Sequence, residues 1–597
     1  MAVTDIPPTL TPEVTDPEIR ADIDKFKRML DGYQRGAIEE DVFRVYRLTN
    51  GIYGQRQGGT NQMVRVRVPY GAVSAEQLDT LAMVVDRYSR GWGHITTRQN
   101  LQMHYVQLDE IPEVLEHLGS VGLTSREACG DTVRNVQGCH LAGACPFEVL
   151  DISAWAEAAN EHLLRNPVGQ RLARKFKINF SGCETDCGQA MFNDAGVIAT
   201  ARTRDDGTVE AGFRVFIAGG LGATPHPAQA LEEFTAKEDL LPTLEAILRV
   251  FEQTGNRDNK LRARMKWVVQ ELGFEEVQRR IVAQRKLLPA SSSWPGGIPE
   301  AVQRLGDAPA GTGTGPVTPV GQGVSVNIAG NTPYGRWESS NVVRGSAKAT
   351  VSVYAWCRLG DITSAQFRGV AQIIRDFDVD VRVSNRQNFI IRDLTEEQLP
   401  ALFERLQELD MAAPGAELSR DVVSCPGADT CGLAVTQSRG LAKAIGAALE
   451  AEGLAEVGGV RINISGCMNS CGQHHIADIG FFGAERRAHG LSAPGYQMLL
   501  GGYVGQEKIH FGDKALRLPA KTAPEAVVRV LRRFTDEREA GESFRSWMDR
   551  SGGAPEIAKG LKDLDEFPDP TIDASFFIDY DETSPYTAEV GVSECAT

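Results

Sequence analysis

Long apolar runs are missing from this chain. None of its 597 residues lies in a stretch approaching the ~20 consecutive apolar positions that a membrane-spanning helix needs. The opening segment, MAVTDIPPTLTPEVTDPE, has neither the basic start nor the apolar centre of a secretory leader, so a cytoplasmic location is expected. Positive charge is also short. Against 79 Asp and Glu stand 63 Lys and Arg, and the net charge of −16 argues against nucleic acid as a partner. An acidic surface suits a basic partner or simply aids solubility. No flavin or nicotinamide fingerprint is evident, so any electrons would come from a separate protein. Cysteine is too sparse for a disulfide scaffold. The eleven present are regularly spaced, which in a large cytoplasmic chain points to metal ligation.

What the chain does contain is a repeat. The length exceeds what one core usually holds. Residues 1–63 read as a helical extension that ends in the glycine-rich loop GIYGQRQGG. Residues 64–125 then run strand, helix, strand, helix. "MVRVRV" alternates with period two, and SAEQLDTLAMVVDRY is an amphipathic helix behind a Ser cap. The same order returns within 324–415, where Gly360 matches Gly71 and Arg386-Gln387-Asn388 matches Arg98-Gln99-Asn100. Each unit precedes a larger segment, 126–288 and 416–562. Between the copies, 289–323 is rich in Pro, Gly, Ser and Thr and reads as a linker. The acidic tail, 563–597, is expected to be an extended arm or disordered.

Each larger segment carries S-G-C-x-x-x-C-G-Q, at Cys183/Cys187 and at Cys467/Cys471, each preceded by a C-x5-C pair, Cys139/Cys145 and Cys425/Cys431. Four thiolates in two close pairs can hold an iron–sulfur cluster. Four buried core cysteines are the plain alternative, but glycine and proline crowd these segments into tight loops. Structural zinc sites favour shorter spacings. A radical-type cluster would need a third cysteine after Cys471, and GQHHIAD has none. His474 and His475 read as packing or supporting groups, because the cysteines already complete a ligand set.

The C-x5-C and C-x3-C pairs, with ISGCMNSCGQ and ADIGFFG around the second, resemble the sulfite and nitrite reductase family over nearly the whole chain. The resemblance implies an α+β, internally duplicated, pseudo-twofold fold. It would have two ferredoxin-like half-domains (64–125, 324–415) and two siroheme/Fe–S domains (126–288, 416–562). It implies siroheme coupled to a [4Fe–4S] cluster on Cys425, Cys431, Cys467 and Cys471, with Cys471 bridging to the siroheme iron. Arg65, Arg134, Lys175 and Lys177 match the family's substrate cations. Thr96, Arg98 and Gln102 match residues that hold siroheme carboxylates, and Asn135 and Arg56 are further cofactor contacts. His94 stands where many members have Arg. Tyr53 and Cys129 match positions that some relatives place beside the siroheme and join covalently; proximity without the bond is expected here. Cys357 and Cys595 have no assigned role.

The implied reaction is six-electron reduction of sulfite, with nitrite as the rival oxyanion and ferredoxin or a flavoprotein as the electron donor. Relatives that reduce nitrite tend to carry Asn where Lys177 stands, which favours sulfite, although GQHHIADIGF also resembles the nitrite enzymes. An iron–sulfur carrier or scaffold without siroheme is the non-enzyme alternative. In the second copy Arg134 maps to Arg420 and Lys177 to Arg461, but Arg65 maps to Tyr354 and Lys175 to Gly459. One substrate site is therefore expected, built from first-half cations and second-half cysteines. Cys139, Cys145, Cys183 and Cys187 could still bind a second cluster.

Overall fold

Two helices start on the same device. Ser74 caps Ala75–Tyr88 and Thr363 caps Ser364–Phe377; each hydroxyl accepts the N–H of a Gln three residues on, Gln77 or Gln366, whose side chain returns to the cap's own N–H. Their apolar faces, Leu78, Leu81 and Val85 on one and Phe367, Val370 and Ile373 on the other, bury in one core. The computed structural model describes residues 13–293, 330–344, 350–505, 508–588, 591 and 594. Residues 1–12 of the opening segment, the linker from residue 294 onward and Cys595 lie outside the described residues.

Beneath the two helices lie two five-stranded sheets of matching order. The first runs Ile52–Gly54, Asn61–Val66, Leu101–Gln107, Trp92–Ile95, Asp361–Thr363; the second runs Val342–Val343, Val351–Ala355, Phe389–Leu394, Asp380–Val383, Ala72–Val73. Each copy thus lends its short strand to the other's sheet: Asp361 pairs with His94, and Val73 with Val381. The loops after Ile95 and Val383 lock this exchange. Gln99 Nε2 donates to the carbonyls of Val383 and Gly138, and Gln387 Nε2 donates to those of Ile95 and Ser424. The sheet begins at Ile52, directly after the N-terminal helices Pro17–Gln34 and Glu40–Thr49.

The larger segments form another matched pair of sheets. One is Gln137–Gly138, Ile178–Ser181, Ala195–Thr203, Val209–Ile217, Gln229–Thr235; the other is Val423–Ser424, Ile462–Ser465, Ile479–Ala488, Leu491–Leu500, Asp513–Pro519. The first three strands of each run parallel and the rest antiparallel. Ile178–Ser181 and Ile462–Ser465 are buried at every position, as central parallel strands are. The two sheets meet at Gln189 and Gln473, both left-handed at φ 61°. Their amides exchange hydrogen bonds of 2.9 and 2.8 Å across the pseudo-twofold.

The tail is an arm with defined seats. Asp579 accepts the Gln437 N–H, Tyr586 donates to Val435 O, and the Gly591 N–H reaches Gly432 O. Glu594 accepts from the Gly54 N–H and pairs with Arg47. Among the described residues no helix is long and apolar enough to cross a membrane.

Candidate active site

The local fold presents each cysteine from a tight loop. After Ile462–Ser465 the chain turns through Cys467 and Cys471 and re-enters at Gly472, whose N–H bonds the Ser465 hydroxyl while Asn463 Nδ2 holds its carbonyl. A Cβ on Gly472 would stand 2.0 Å from Ile464 O, so only glycine lets the loop close this tightly. Gly472→Ala is expected to cost at least about 2 kcal/mol and to lower iron retention, read by thermal unfolding and iron content.

The second pair, Cys425 and Cys431, comes from the loop after Val423–Ser424. The Gly466 N–H donates to Cys425 Sγ at 3.3 Å, and Ser438 Oγ lies 3.5 Å from the same sulfur. Burial pushes the Cys425, Cys431 and Cys467 thiols up, and the nearby Cys471 adds to each, so the four lie within electrostatic reach of one another. None of the described cysteines is in a disulfide, and Cys471 is the exposed member. Among the described residues no three His, Cys, Asp or Glu side chains could hold a single metal ion.

One first-half loop, Thr96–Asn100, reaches this quartet and carries one of the cations, Arg98: Thr96 Oγ1 accepts the N–H groups of Arg98 and Asn100, and Thr97 Oγ1 donates to the carbonyl of Cys471 at 2.8 Å. Arg98 is held by Asn179, Asn193 and the carbonyl of Asn135. Asn135 in turn donates to Val68 O and Arg98 O. Burial first, then the neighbouring Arg134, lowers the Arg98 pKa to about 9. Arg65 sits opposite Gln102 in the sheet; the Gln102 amide oxygen, turned toward it, accepts from Nη2 and Nε at 2.6 and 3.0 Å. Arg65 also lies over the Tyr53 ring and donates to Cys129 Sγ at 3.4 Å, so both residues flank one guanidinium. Arg134 donates to Gly130 O and Ala128 O. Lys175 and Lys177 flank Phe176, which is fully buried, so the two lysines share the opposite side. Burial pushes the Lys177 ammonium well below the ordinary lysine value, and Arg98, Arg264 and Lys175 add to the shift. Arg56 lies at the cluster loop instead, bonded to Thr430 O and Ala434 O.

Two participants went unseen in the sequence. Buried Asp194 accepts the Lys177 N–H and pairs with Arg264 at 2.7 Å. Its counterpart Asp478 accepts the Arg461 N–H, so the repeat itself could have flagged Asp194; nothing marks Arg264. His94 points elsewhere. It bridges Asp361 and Gln387 of the other copy, and burial lowers its pKa to about 3, so the ring is neutral. His474 meets Ser465 Oγ and His475 meets Gly222 O, in keeping with packing roles. A cavity of about 840 Å³ lies apart from this site, lined by Arg67, Tyr70, Glu157 and Asp380 among others, with no cysteine and none of the four expected substrate cations.

A duplicated α+β fold that sets a gathered thiol quartet against a buried group of cations defines a cluster-bearing protein that receives an anion. Both copies match the nitrite and sulphite reductase 4Fe-4S domain (residues 129–287 and 415–559), and the two smaller units match the nitrite/sulfite reductase ferredoxin-like half domain (53–121 and 345–409). The chain belongs to the nitrite and sulfite reductase family. It is 30% identical to the assimilatory ferredoxin-dependent nitrite reductase of Haloferax mediterranei, across 84% of each chain. It is 33% identical to the ferredoxin–nitrite reductase of Synechococcus elongatus (80% of this chain, 86% of that one) and 28% identical to the sulfite reductase [ferredoxin] of Mycobacterium tuberculosis (82% of each). The solved structure of the Mycobacterium tuberculosis NirA protein superposes with a TM-score of 0.72 at 25% identity, covering 89% of this chain and 96% of that one.

The cofactors of this reductase are siroheme and a [4Fe–4S] cluster. The residues present fit both. Arg65, Arg98, Arg134, Lys175 and Lys177 converge, while Asp194, the buried carboxylate among them, is already taken by Arg264. Arg98 Nε and Asn135 Oδ1 are buried without a hydrogen-bond partner among the described residues. A polycarboxylate macrocycle answers an excess of buried positive charge.

Proposed function

We propose that the chain reduces sulfite to sulfide by six electrons, in sulfur assimilation, taking electrons from an external donor. The observation that carries this reading is the 2.8 Å bond from Thr97 to the carbonyl of Cys471, which ties the loop bearing Arg98 to the loop bearing the expected bridging cysteine. Cys425, Cys431, Cys467 and Cys471 would hold the cluster. Thr96, Arg98, Gln102 and Asn135 would hold or frame the siroheme, with Tyr53 and Cys129 beside it and Arg56 bracing the cluster loop. When bound, the siroheme–cluster unit supplies electrons to the oxyanion.

The chain's own work is charge and protons. Arg65, Arg134, Lys175 and Lys177 attract the oxyanion into a dry site, where fixed cations act strongly. Lys177, its pKa lowered by burial and by its cationic neighbours, gives up a proton near neutral pH more readily than an ordinary lysine. Departing oxygen atoms leave protonated, with Lys175 and Lys177 as the ammonium donors of this reading. Arg264 pairs with Asp194, so the carboxylate nearest Lys177 already has a cationic partner.

Nitrite reduction to ammonia is the second reading, favoured by the names of the relatives from Haloferax mediterranei and Synechococcus elongatus. Lys177 supports sulfite, because sulfite carries more negative charge than nitrite and gains more from a fourth cation. Ferredoxin is the proposed donor, as it is named for the relatives, and a cytoplasmic location suits that supply. Steady-state reduction of both anions side by side, with a chemical electron donor, tests the choice. A higher kcat/KM for sulfite is expected; a higher value for nitrite overturns the preference.

A further inference from the structure

The first cysteine quartet has no part in the site just described, yet the fold assembles it as fully as the second. Cys139 and Cys145 come from the loop after Gln137–Gly138, and Cys183 and Cys187 from the loop after Ile178–Ser181. Cys145 lies beside Cys183 and Cys139 beside Cys187, and the two pairs are within electrostatic reach of each other. None forms a disulfide. In a [4Fe–4S] cluster each thiolate binds a separate iron, so four cysteines in two neighbouring pairs are the ligand set it needs.

The turn that carries Cys183 and Cys187 repeats the one that carries Cys467 and Cys471. Asn179 Nδ2 holds the carbonyl of Gly188 as Asn463 holds that of Gly472. The Gly188 N–H reaches Ser181 Oγ as that of Gly472 reaches Ser465. A Cβ on Gly188 would stand 1.9 Å from Phe180 O, the same constraint as at Gly472. Second-half groups also face this quartet: Tyr354 and Arg461 lie within electrostatic reach of its thiols, and Arg461 Nε and His140 Nδ1 are buried without a partner among the described residues.

The counterparts of Arg65 and Arg98 in the second copy are engaged with protein partners. Tyr354 stands in the place of Arg65 and is bonded to His140 at 3.0 Å. Arg386, the counterpart of Arg98, is paired with buried Glu417 at 2.8 Å. We propose that Cys139, Cys145, Cys183 and Cys187 hold a second [4Fe–4S] cluster, one with no siroheme beside it.

Acid-labile sulfide measured on anaerobically purified holoenzyme counts clusters without counting siroheme. About eight sulfides per chain are expected in fully loaded protein, against about four for one cluster. Native mass spectrometry should show a heaviest species that carries two clusters. Cys183→Ala/Cys187→Ala should halve the sulfide and leave extracted siroheme unchanged, whereas Cys425→Ala/Cys431→Ala should remove the other half. If the first variant fails to fold, the sulfide count and heaviest mass of the unaltered chain decide alone. A heaviest species with one cluster overturns the proposal. If that one cluster is lost from Cys183→Ala/Cys187→Ala and not from Cys425→Ala/Cys431→Ala, the failure lies in the cluster assignment made under the proposed function instead.

Discussion

Cys471→Ser should lower kcat for oxyanion reduction by at least about 100-fold while the chain still folds. Cys471 is the exposed cysteine of its quartet, and its backbone, not its side chain, is what Thr97 grips. The substitution therefore leaves the loop closed and removes only a soft thiolate. A serine oxygen is a poor replacement as an iron ligand and as a sulfur bridge. Circular dichroism should match the parent, whereas the paramagnetic resonance of cluster and siroheme should lose its signs of coupling. Near-normal turnover with intact spectra would remove Cys471 from the bridging role.

Lys177→Asn should shift the ratio of kcat/KM for sulfite over nitrite toward nitrite by at least about tenfold, or ~1.4 kcal/mol. Lys177 is surrounded by Arg98, Arg264 and Lys175, so the site stays cationic without it and anion binding as such persists. Its loss should penalise the more highly charged anion more. The backbone N–H of Lys177, which Asp194 accepts, is retained by Asn, so the local frame survives. An unchanged ratio would take Lys177 out of the specificity argument.

Much of this arrangement could be read from the chain because duplication writes its signals twice. The paired cysteine spacings, the repeated Arg-Gln-Asn and the two capped helices each have a counterpart, and a local feature found twice at one offset is hard to produce by chance. The reciprocal strands Ala72–Val73 and Asp361–Thr363 were invisible, because two or three residues carry no periodicity and their partners lie in the other copy. Arg264 was missed for a related reason. It sits at the start of the helix Met265–Leu272, far along the chain from Asp194, with no motif to mark it. The tail's acidic composition suggested an arm, but only the fold shows Asp579, Tyr586 and Glu594 seated on the loops around Cys431 and Tyr53. His94 shows how a residue at a familiar position can be diverted, here to bridge the two copies.

The central claim is that a fold built twice makes one working anion site, because Tyr354 and the Arg386–Glu417 pair close the second. Siroheme extracted from fully loaded holoenzyme and divided by protein concentration tests this directly. The account predicts one siroheme per chain; two per chain, or none in a protein that still reduces sulfite or nitrite, would contradict it.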